Sequence, residues 1–368
     1  MRIWLIIVSV AAIFSCGGEK QASLAKGNTS DWTQFDNTPW SAEQAAEAAA
    51  AYLLRHLNAD GRFDYMRQSD MRESKYNVLR HAGSIYALQQ FYAYRPSADL
   101  LAGIVRASGY LQRRYVVSLK IRPELRAVIS KPSEESLPGP TAKLGGAALV
   151  LAALCGTQRL APSTVSINEL QALGNFILFM QREDGSFHSK YREGIGFDTE
   201  FHSLYYPGEA MLALTMLYDV DKDPKWLQAS LKAAAQLVRS REGMRKIPAD
   251  HWMMLASVPL LERYDAIPAP TLSREALVAH IERIAKIIIA KQRTDLVAPM
   301  QMESGAFEKQ ARSTPTATRL EGLTAFARIQ QSTSGQIAHE IRKAIDAGIA
   351  MLRRCQIKRP GQESGGMP

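Results

Sequence analysis

The chain has 368 residues, a formal net charge of +9, 46% hydrophobic residues and 3 cysteines. So few cysteines exclude a disulfide framework. Lys and Arg are spread along the predicted helices without a basic block, which disfavours a nucleic-acid-binding protein.

The N-terminus has the layout of a secretory signal: a basic start and an apolar run of about a dozen residues, fewer than the roughly 20 that span a membrane. Residues 13–16, Ile-Phe-Ser-Cys, resemble the lipobox of bacterial lipoproteins. The resemblance implies that residues 1–15 are a signal peptide and that Cys16 is lipidated; the alternative is a free cysteine in an ordinary signal. The residue after Cys16 is Gly17 rather than Asp, which resembles the sorting signal of bacterial lipoproteins of the outer membrane. We therefore expect a cell-envelope lipoprotein of the outer membrane that faces the periplasm.

The rest of the chain divides into three parts by composition. Residues 16–40 are rich in Gly, Ser, Asn, Gln and Thr, which predicts a flexible tether. Residues 41–360 are predicted to form one domain, and residues 361–368 a disordered tail. Cys155 lies in an apolar run and is predicted to be a small buried hydrophobe. Whether Cys155 pairs with Cys355 stays open at this stage.

A repeated phrase indicates the architecture of the domain. Residues 60–63 (Asp-Gly-Arg-Phe) match residues 184–187 (Asp-Gly-Ser-Phe), and each copy closes an amphipathic helix. Glycine at that position can take the left-handed conformation that ends a helix. Half of the offset between the copies, about 62 residues, suits one helical hairpin with its loops.

Two classes of helix alternate along the domain. Segments that are apolar on more than one face are predicted to be inner helices: residues 77–92, 142–154, 207–218, 251–261 and 315–328. Segments with a basic face and an aliphatic face are predicted to be outer helices: residues 100–115, 227–241, 278–292 and 337–353. Glycines near the inner-helix starts are expected to let these helices approach closely: Gly83, Gly146, Gly208 and Gly322. The pattern predicts an all-α chain of five or six hairpins without a sheet, and a sixth inner helix has no clear candidate.

Two motifs resemble known toroids of helical hairpins. Gln181 followed by residues 184–187 resembles the repeat of the terpenoid-cyclase and protein-prenyltransferase toroids. Residues 217–227 (Leu-Tyr-Asp-Val-Asp-Lys-Asp-Pro-Lys-Trp-Leu) resemble the hairpin turn of six-hairpin glycosidases and sugar epimerases. The resemblance implies an (α/α)6 toroid over residues 41–357. It specifies the fold well and the activity poorly, because one fold hosts many chemistries.

The departures from these families narrow the chemistry. Asp219, Asp221 and Asp223 lack the spacing of the paired acidic motif of the cyclases. Cys155 and Cys355 have no companion residues that would make the three-ligand zinc site of a prenyltransferase or lanthionine cyclase. We therefore expect no metal and no cofactor.

Polar residues at the inner-helix starts are the site candidates, because these starts surround the centre of a toroid. The candidates for catalysis are His81, Glu209, Asp250, His251 and Glu321. The candidates for substrate binding are Tyr76, Asn77, Arg80, Tyr205, Trp252 and Arg319. Hydrolysis of a glycoside needs two carboxylates, for which Asp250 with Glu209 or with Glu321 are the predicted pairs.

Other chemistries use the same residues differently. Lyases and epimerases of uronic acids need an acid and a base, which His and Tyr can supply, and arginines suit a carboxylate-bearing substrate. Aromatic rings suit the apolar faces of sugars. The structural alternatives are that each arginine neutralises a glutamate, that each histidine is a satisfied structural residue, and that the aromatic rings only pack.

Three functions follow from these candidates. The favoured one is an extracytoplasmic carbohydrate-active enzyme (glycoside hydrolase, polysaccharide lyase or uronate epimerase) whose partner is an acidic or neutral glycan. The alternative is a non-catalytic glycan-binding or assembly lipoprotein, and the third is an open repeat protein that binds another protein. Closure of the ring, and convergence of the candidates, would separate these hypotheses.

Overall fold

The structure, a computed structural model, describes residues 40–64, 67–68, 71–72, 76–294, 303–309, 311–329 and 335–367. The predicted signal peptide, the lipidation of Cys16 and nearly all of the tether lie outside these residues. Among the described helices, none is both long and apolar enough to cross a membrane.

Eleven α-helices occur in the described residues and alternate between two layers. They are α1 (Ala42–Arg55), α2 (Val78–Tyr94), α3 (Ala98–Tyr115), α4 (Leu144–Leu160), α5 (Ile167–Met180), α6 (Tyr206–Asp221), α7 (Lys225–Ser240), α8 (His251–Glu262), α9 (Arg274–Ile289), α10 (Ser313–Ile329) and α11 (Gln336–Cys355). The odd-numbered helices are outer and the even-numbered helices are inner. The prediction of an all-α toroid is confirmed, and the described residues contain no sixth inner helix after α11.

Side-chain pattern explains which layer each helix occupies. The inner helix α4 buries residues around most of its circumference, because Ala, Leu and Gly occupy nearly all of its positions. The outer helix α11 buries one stripe with the spacing of a helical face, which includes Ile341, Ile345 and Ile349. Its last turn carries Arg353, whose charge complements the carboxyl end of the helix dipole.

Serine caps start several outer helices. The hydroxyls of Ser97, Ser166 and Ser273 each accept a hydrogen bond from the backbone N–H three residues later, at 3.1–3.2 Å. Such a cap satisfies one of the free backbone donors at a helix start and contributes about 1 kcal/mol. These caps define where each of these three outer helices begins.

Two of the predicted close approaches between inner helices are confirmed. A methyl group at Gly208 of α6 would lie 2.7 Å from the carbonyl carbon of Trp252 in α8, and one at Gly322 of α10 would lie 3.1 Å from the carbonyl oxygen of His251. At Gly146 of α4 the nearest atom would be a flexible Leu79 methyl at 3.5 Å, an ordinary contact. The α6–α8 and α8–α10 contacts therefore require glycine more strictly than the α2–α4 contact does.

The variant Gly208→Ala is expected to lower the free energy of unfolding by about 2–3 kcal/mol, because the added methyl overlaps backbone of α8. Gly146→Ala is the matched control, since it adds the same methyl to an equivalent inner helix without backbone overlap. We expect the control to be neutral or slightly stabilising, because Ala favours helix over Gly by about 1 kcal/mol. Urea unfolding of both variants checks this, and equal effects at the two positions would contradict it.

A small antiparallel sheet lies in the connections that lead into α4 and α6. Its strands follow the order β3 (Val116–Ser118), β4 (Arg126–Ser130), β5 (Thr141–Lys143), β6 (Lys190–Arg192) and β7 (Gly196–Phe197). A separate hairpin pairs β1 (Arg67–Gln68) with β2 (Met71–Arg72). The prediction that the chain has no sheet is wrong, because strands of two to five residues are too short to show an alternating pattern.

The repeated Asp-Gly phrase forms the same turn in both copies. Gly61 and Gly185 have φ of +96° and +93°, conformations that side chains on an L-residue disfavour. Each turn docks on the next outer helix: a methyl at Gly185 would overlap the carbonyl of Lys232 in α7, and one at Gly61 would overlap the carbonyl of Arg106 in α3. The turn is therefore a joint between successive hairpins.

The structure adds two copies of this joint that the sequence analysis does not contain. Gly305, with φ of +101°, docks on the carbonyl of Ala347 in α11, and Gly365, with φ of +87°, docks on the carbonyl of Ala48 in α1.

A glutamine completes three of the four joints, because its side-chain amide donates both to the neighbouring outer helix and to the carbonyl of the docked glycine. The three pairs of glutamine and outer-helix carbonyl are Gln181 with Ala229, Gln292 with Ala344 and Gln356 with Ala45, at 2.8–3.0 Å.

The last joint closes the ring. It carries residues 356–367 against α1, where the Gln356 amide donates to the Ala45 carbonyl, while the Arg353 side chain donates to the Trp40 carbonyl at 2.6 Å. Gly365 and Gly366 are buried. The prediction that residues 361–368 form a disordered tail is wrong for residues 361–367, because their glycine turn docks on an outer helix. A closed ring also argues against the open repeat array.

Candidate active site

The inner helices run parallel, because each is preceded by an antiparallel outer helix, so all five described ones begin at the same end of the ring. We call this end the mouth. The longer connections and the β3–β7 sheet belong to the mouth side, since they join an outer-helix end to an inner-helix start. Of the predicted site residues, Glu209 and His251 each lie in the first turn of an inner helix there, with a buried polar atom that has no partner among the described residues.

Glu209 lies in the first turn of α6 and is 2% exposed. Its Oε2 atom has no hydrogen-bond partner among the described residues. The missing side chain of Gly145 in α4 makes room for it, since a methyl there would overlap Oε2. Burial, followed by the nearby Asp250 carboxylate, raises the pKa of Glu209 to about 8. Glu209 is therefore protonated at neutral pH and can donate a proton.

His251 is the first residue of α8 and is 3% exposed. Its Nε2 atom has no hydrogen-bond partner in the described part of the chain. Burial, followed by the positive charge of Arg319, lowers the pKa of His251 to about 3. The imidazole is therefore neutral at pH 7, and the same burial makes it a weaker base than an exposed histidine.

These two groups lie on adjoining helices. Tyr205 precedes Glu209 by one turn, and its ring centroid is 4.9 Å from that of His251. Gly208, beside Glu209, contacts the backbone of Trp252, beside His251. The fold therefore places a protonated carboxyl group and a neutral imidazole at the starts of adjoining inner helices at the mouth.

Asp250 does not have a free carboxylate. Its Oδ1 accepts from the backbone N–H of Met253 at 3.1 Å and caps α8, and its Oδ2 accepts from Arg241 at 2.6 Å. Both partners are buried, at 4% and 0% exposure for Arg241 and Asp250. A catalytic role for Asp250 is not supported, because both of its oxygens are engaged; it holds the start of α8 and raises the pKa of Glu209.

Arg319 is engaged in an ion pair, as one alternative predicted. Its Nη2 donates to Glu308 at 2.9 Å and its Nη1 to the carbonyl of Pro315 at 2.9 Å, whereas its buried Nε has no partner among the described residues. Glu321 is buried in α10 and faces α2, where it adds to burial in raising the pKa of Tyr86. Glu321 stays a candidate on α10, the inner helix that contacts α8.

The first predicted cluster is mainly structural. The His81 Nε2 donates to the carbonyl of Ala107 in the outer helix α3 at 3.0 Å, and its Nδ1 pairs with the Tyr76 hydroxyl. The Asn77 side chain caps α2 by accepting from the Arg80 backbone N–H at 3.1 Å. The predicted functional roles of His81, Tyr76 and Asn77 are therefore not supported, because the polar atoms of His81 and Tyr76 serve the contact between layers and the Asn77 side chain serves as a helix cap. Arg80 stays a candidate at the mouth.

Replacing His81 with Phe is expected to lower the free energy of unfolding by about 1–3 kcal/mol, since the hydrogen bond to α3 is lost and the Tyr76 hydroxyl loses its partner. Burial lowers the pKa of His81 to about 3 from 6.5. The neutral imidazole therefore stabilises the fold above pH 6.5, and this contribution is lost as the pH falls toward 3. Urea unfolding between pH 4 and pH 7 should show a shallower acid loss in the variant; an unchanged pH dependence would contradict the assignment.

Two features of the site come from residues that the sequence analysis did not single out. Arg241 reaches Asp250 from the end of α7, and Glu308 reaches Arg319 from the connection before α10. Neither residue belongs to a motif, so only the tertiary structure reveals them. The described ranges contain no group of three or more His, Cys, Asp or Glu side chains placed to bind a metal.

Neither a protein-family model nor a curated protein matches the sequence. Solved structures do match. A glycoside hydrolase family 76 α-mannanase of Bacteroides thetaiotaomicron covers 90% of this chain and 87% of its own, at 11% identity and a TM-score of 0.59. A cellobiose 2-epimerase of Bacillus thermoamylovorans covers 86% and 89%, at 11% identity and a TM-score of 0.62. A D-mannose isomerase covers 83% of each chain, at 13% identity and a TM-score of 0.58.

The chain has the (α/α)6 toroid fold of the six-hairpin glycosidases. The predicted resemblance is thereby confirmed at the level of fold, and identities of 11–13% carry it no further. The fold alone does not assign an activity, which depends on site residues such as Glu209 and His251.

Proposed function

We propose that this toroid is a carbohydrate-active enzyme that moves a proton to and from a sugar carbon, with Glu209 as the acid and His251 as the base. The observation that carries the proposal is that two buried groups stand at the starts of adjoining inner helices, each with an atom that has no partner in the described residues and each with a displaced pKa. The names of the solved neighbours, a mannanase, an epimerase and an isomerase of sugars, support the substrate class.

The protonation states favour proton transfer over hydrolysis. A glycosidase needs one ionised carboxylate opposite the acid, and both Asp250 oxygens are already bound. A neutral imidazole can instead take the proton from a carbon beside a carboxylate or carbonyl group. Glu209 then gives its proton to the departing glycosidic oxygen in an elimination, or to the opposite face of the same carbon in an epimerisation. Tyr205 and Trp252 flank this position and would bind the sugar ring.

The proposal includes the setting predicted from the N-terminal residues. The protein would be held in the cell envelope by lipid on Cys16, on the periplasmic side of the outer membrane, and would meet its glycan there. The net charge of +9 suits an acidic glycan in that compartment.

The test is turnover by residues 30–368 on a panel of acidic and neutral polysaccharides, read as reducing ends, as absorbance of unsaturated uronates and as exchange of deuterium into recovered sugar. His251→Ala is the control. We expect a product or exchange that disappears in the control. Binding to glycans without product or exchange across the panel would overturn the enzyme and leave the glycan-binding lipoprotein.

A further inference from the structure

A cavity of about 510 Å³ opens beside the start of α10. Its lining residues are Lys291, Phe307, Glu308, Lys309 and Arg319. The volume lies within the range of small-ligand pockets, roughly 300–1,000 Å³. The cavity lining combines four charged side chains with the fully buried Phe307, so charge rather than aromatic stacking would hold a ligand there.

Positive charge exceeds negative charge around this cavity. Glu308 is shared between two arginines, since its Oε1 pairs with Arg319 at 2.9 Å and its Oε2 with Arg312 at 2.8 Å. Lys291 and Lys309 form no ion pair within the described residues. The nearby carboxylate of Glu303 is occupied by Arg293 at 2.5 Å. An anion in the cavity would therefore meet two lysines beside a cluster of Arg312, Glu308 and Arg319, in which two positive charges share one negative charge.

The cavity adjoins the proposed catalytic pair through Arg319. Arg319 lies one helical turn before Gly322 on the same face of α10. Gly322 packs against the His251 backbone, where α10 contacts α8. The charge of Arg319 also lowers the pKa of His251, behind burial as the larger cause. The same guanidinium thus borders the cavity on one side and influences the base on the other, and its Nε is buried without a partner in the described chain.

We infer that this cavity is a subsite for the anionic group of an acidic glycan, with a carboxylate or sulfate ester held by Lys291, Lys309 and Arg319. The inference rests on the proposed function and specifies its substrate class. Arg319 would align the charged sugar unit so that the neighbouring carbon faces His251. Anion binding by the two exposed lysines would weaken with salt, because exposed charges are screened.

The experiment measures binding rather than turnover. Trigalacturonate and its carboxyl-reduced neutral analogue are titrated calorimetrically into the full-length chain in detergent, at low and high salt. Lys291→Glu and Lys309→Glu are compared with Lys343→Glu, an equal charge reversal on the outer helix α11, which lines no part of the cavity. We expect each cavity variant to weaken trigalacturonate binding at least tenfold, with the neutral analogue and the control unchanged.

Two outcomes would overturn the subsite: trigalacturonate binding that all three reversals weaken equally, or binding that neither cavity variant changes. A repeat with a sulfated trisaccharide shows which anion the cavity prefers. Charge-dependent binding without turnover of any glycan would instead contradict the proposed enzyme activity and support the subsite. Turnover of acidic glycans with charge-independent binding would keep the enzyme and sink the subsite.

Discussion

Replacing Glu209 with Gln is expected to lower kcat by about 100-fold or more, because the amide keeps the shape of the side chain and cannot donate the proton. The wild-type rate should fall as the pH rises through about 8, where Glu209 loses its proton. The variant's residual rate should lack this alkaline limb. The measurement is kcat and kcat/KM between pH 5 and pH 10 on the best glycan from the panel.

The matched control for Glu209→Gln is Asp219→Asn on the same helix. Asp219 lies near the far end of α6 and pairs with Arg263 at 2.5 Å, away from the mouth. The control costs stability through that ion pair and should leave the pH profile unchanged. A Glu209→Gln variant that keeps the wild-type rate and alkaline limb would remove Glu209 from the mechanism.

Replacing Glu209 with Gln also has a predictable effect on the free energy of unfolding. The pKa of Glu209 is higher in the folded protein, about 8, than the ordinary value of 4.5. The unfolded chain therefore releases this proton first, and stability falls as the pH rises from 4.5 to 8. Gln cannot ionise, so Glu209→Gln should be the more stable protein at pH 8 and should lose this part of the pH dependence. Urea unfolding at pH 5 and pH 8 checks it.

Gly185→Ala is expected to lower the free energy of unfolding by about 3 kcal/mol or more. The residue has φ of +93°, and its added methyl would overlap the Lys232 carbonyl of the neighbouring outer helix. Left-handed strain accounts for roughly 1–2 kcal/mol of this, and displacement of the joint for the rest. The joint cannot move alone, because the Gln181 amide also binds the Ala229 carbonyl of that helix.

Gly194→Ala separates the two causes. Gly194 lies in the same connection with φ of +79°, but a methyl there has no heavy atom within 4 Å. Chemical unfolding should therefore show only the strain, about 1–2 kcal/mol, for this control. Equal losses at positions 185 and 194 would mean that the contact with α7 contributes nothing beyond backbone conformation.

The layers of the fold are predictable from the sequence because burial on all sides and burial on one face leave different compositions. The joints are only half predictable. The copies at Gly61 and Gly185 are compact turns. In the other two copies the glutamine and the glycine are further apart in sequence: Gln292 from Gly305, and Gln356 from Gly365. The joint has the same geometry at each spacing, because the glutamine amide and the glycine carbonyl that form the hydrogen bond lie at the two ends of the inserted residues. A search for fixed spacing cannot find them.

The site is less predictable than the fold, as His81 and His251 illustrate. Both histidines stand at the start of an inner helix, and both are buried. Each residue along a helix turns by about 100°, so a shift of a few positions points one ring toward the outer layer and the other toward a neighbouring inner helix. His81 thereby meets the Ala107 carbonyl, while His251 meets Tyr205. Sequence position alone does not contain this difference.

The joint between Gly365 and α1 changes how such a protein can come apart. A linear stack of repeats frays from its terminal units, because each end has one neighbour instead of two. Here residues 356–367, which follow the last outer helix, dock on the first, so neither end of the array is left with a single neighbour. Unfolding of the intact ring should therefore be a single cooperative event, whereas Gly365→Val would give the molecule a weak seam from which unfolding can begin.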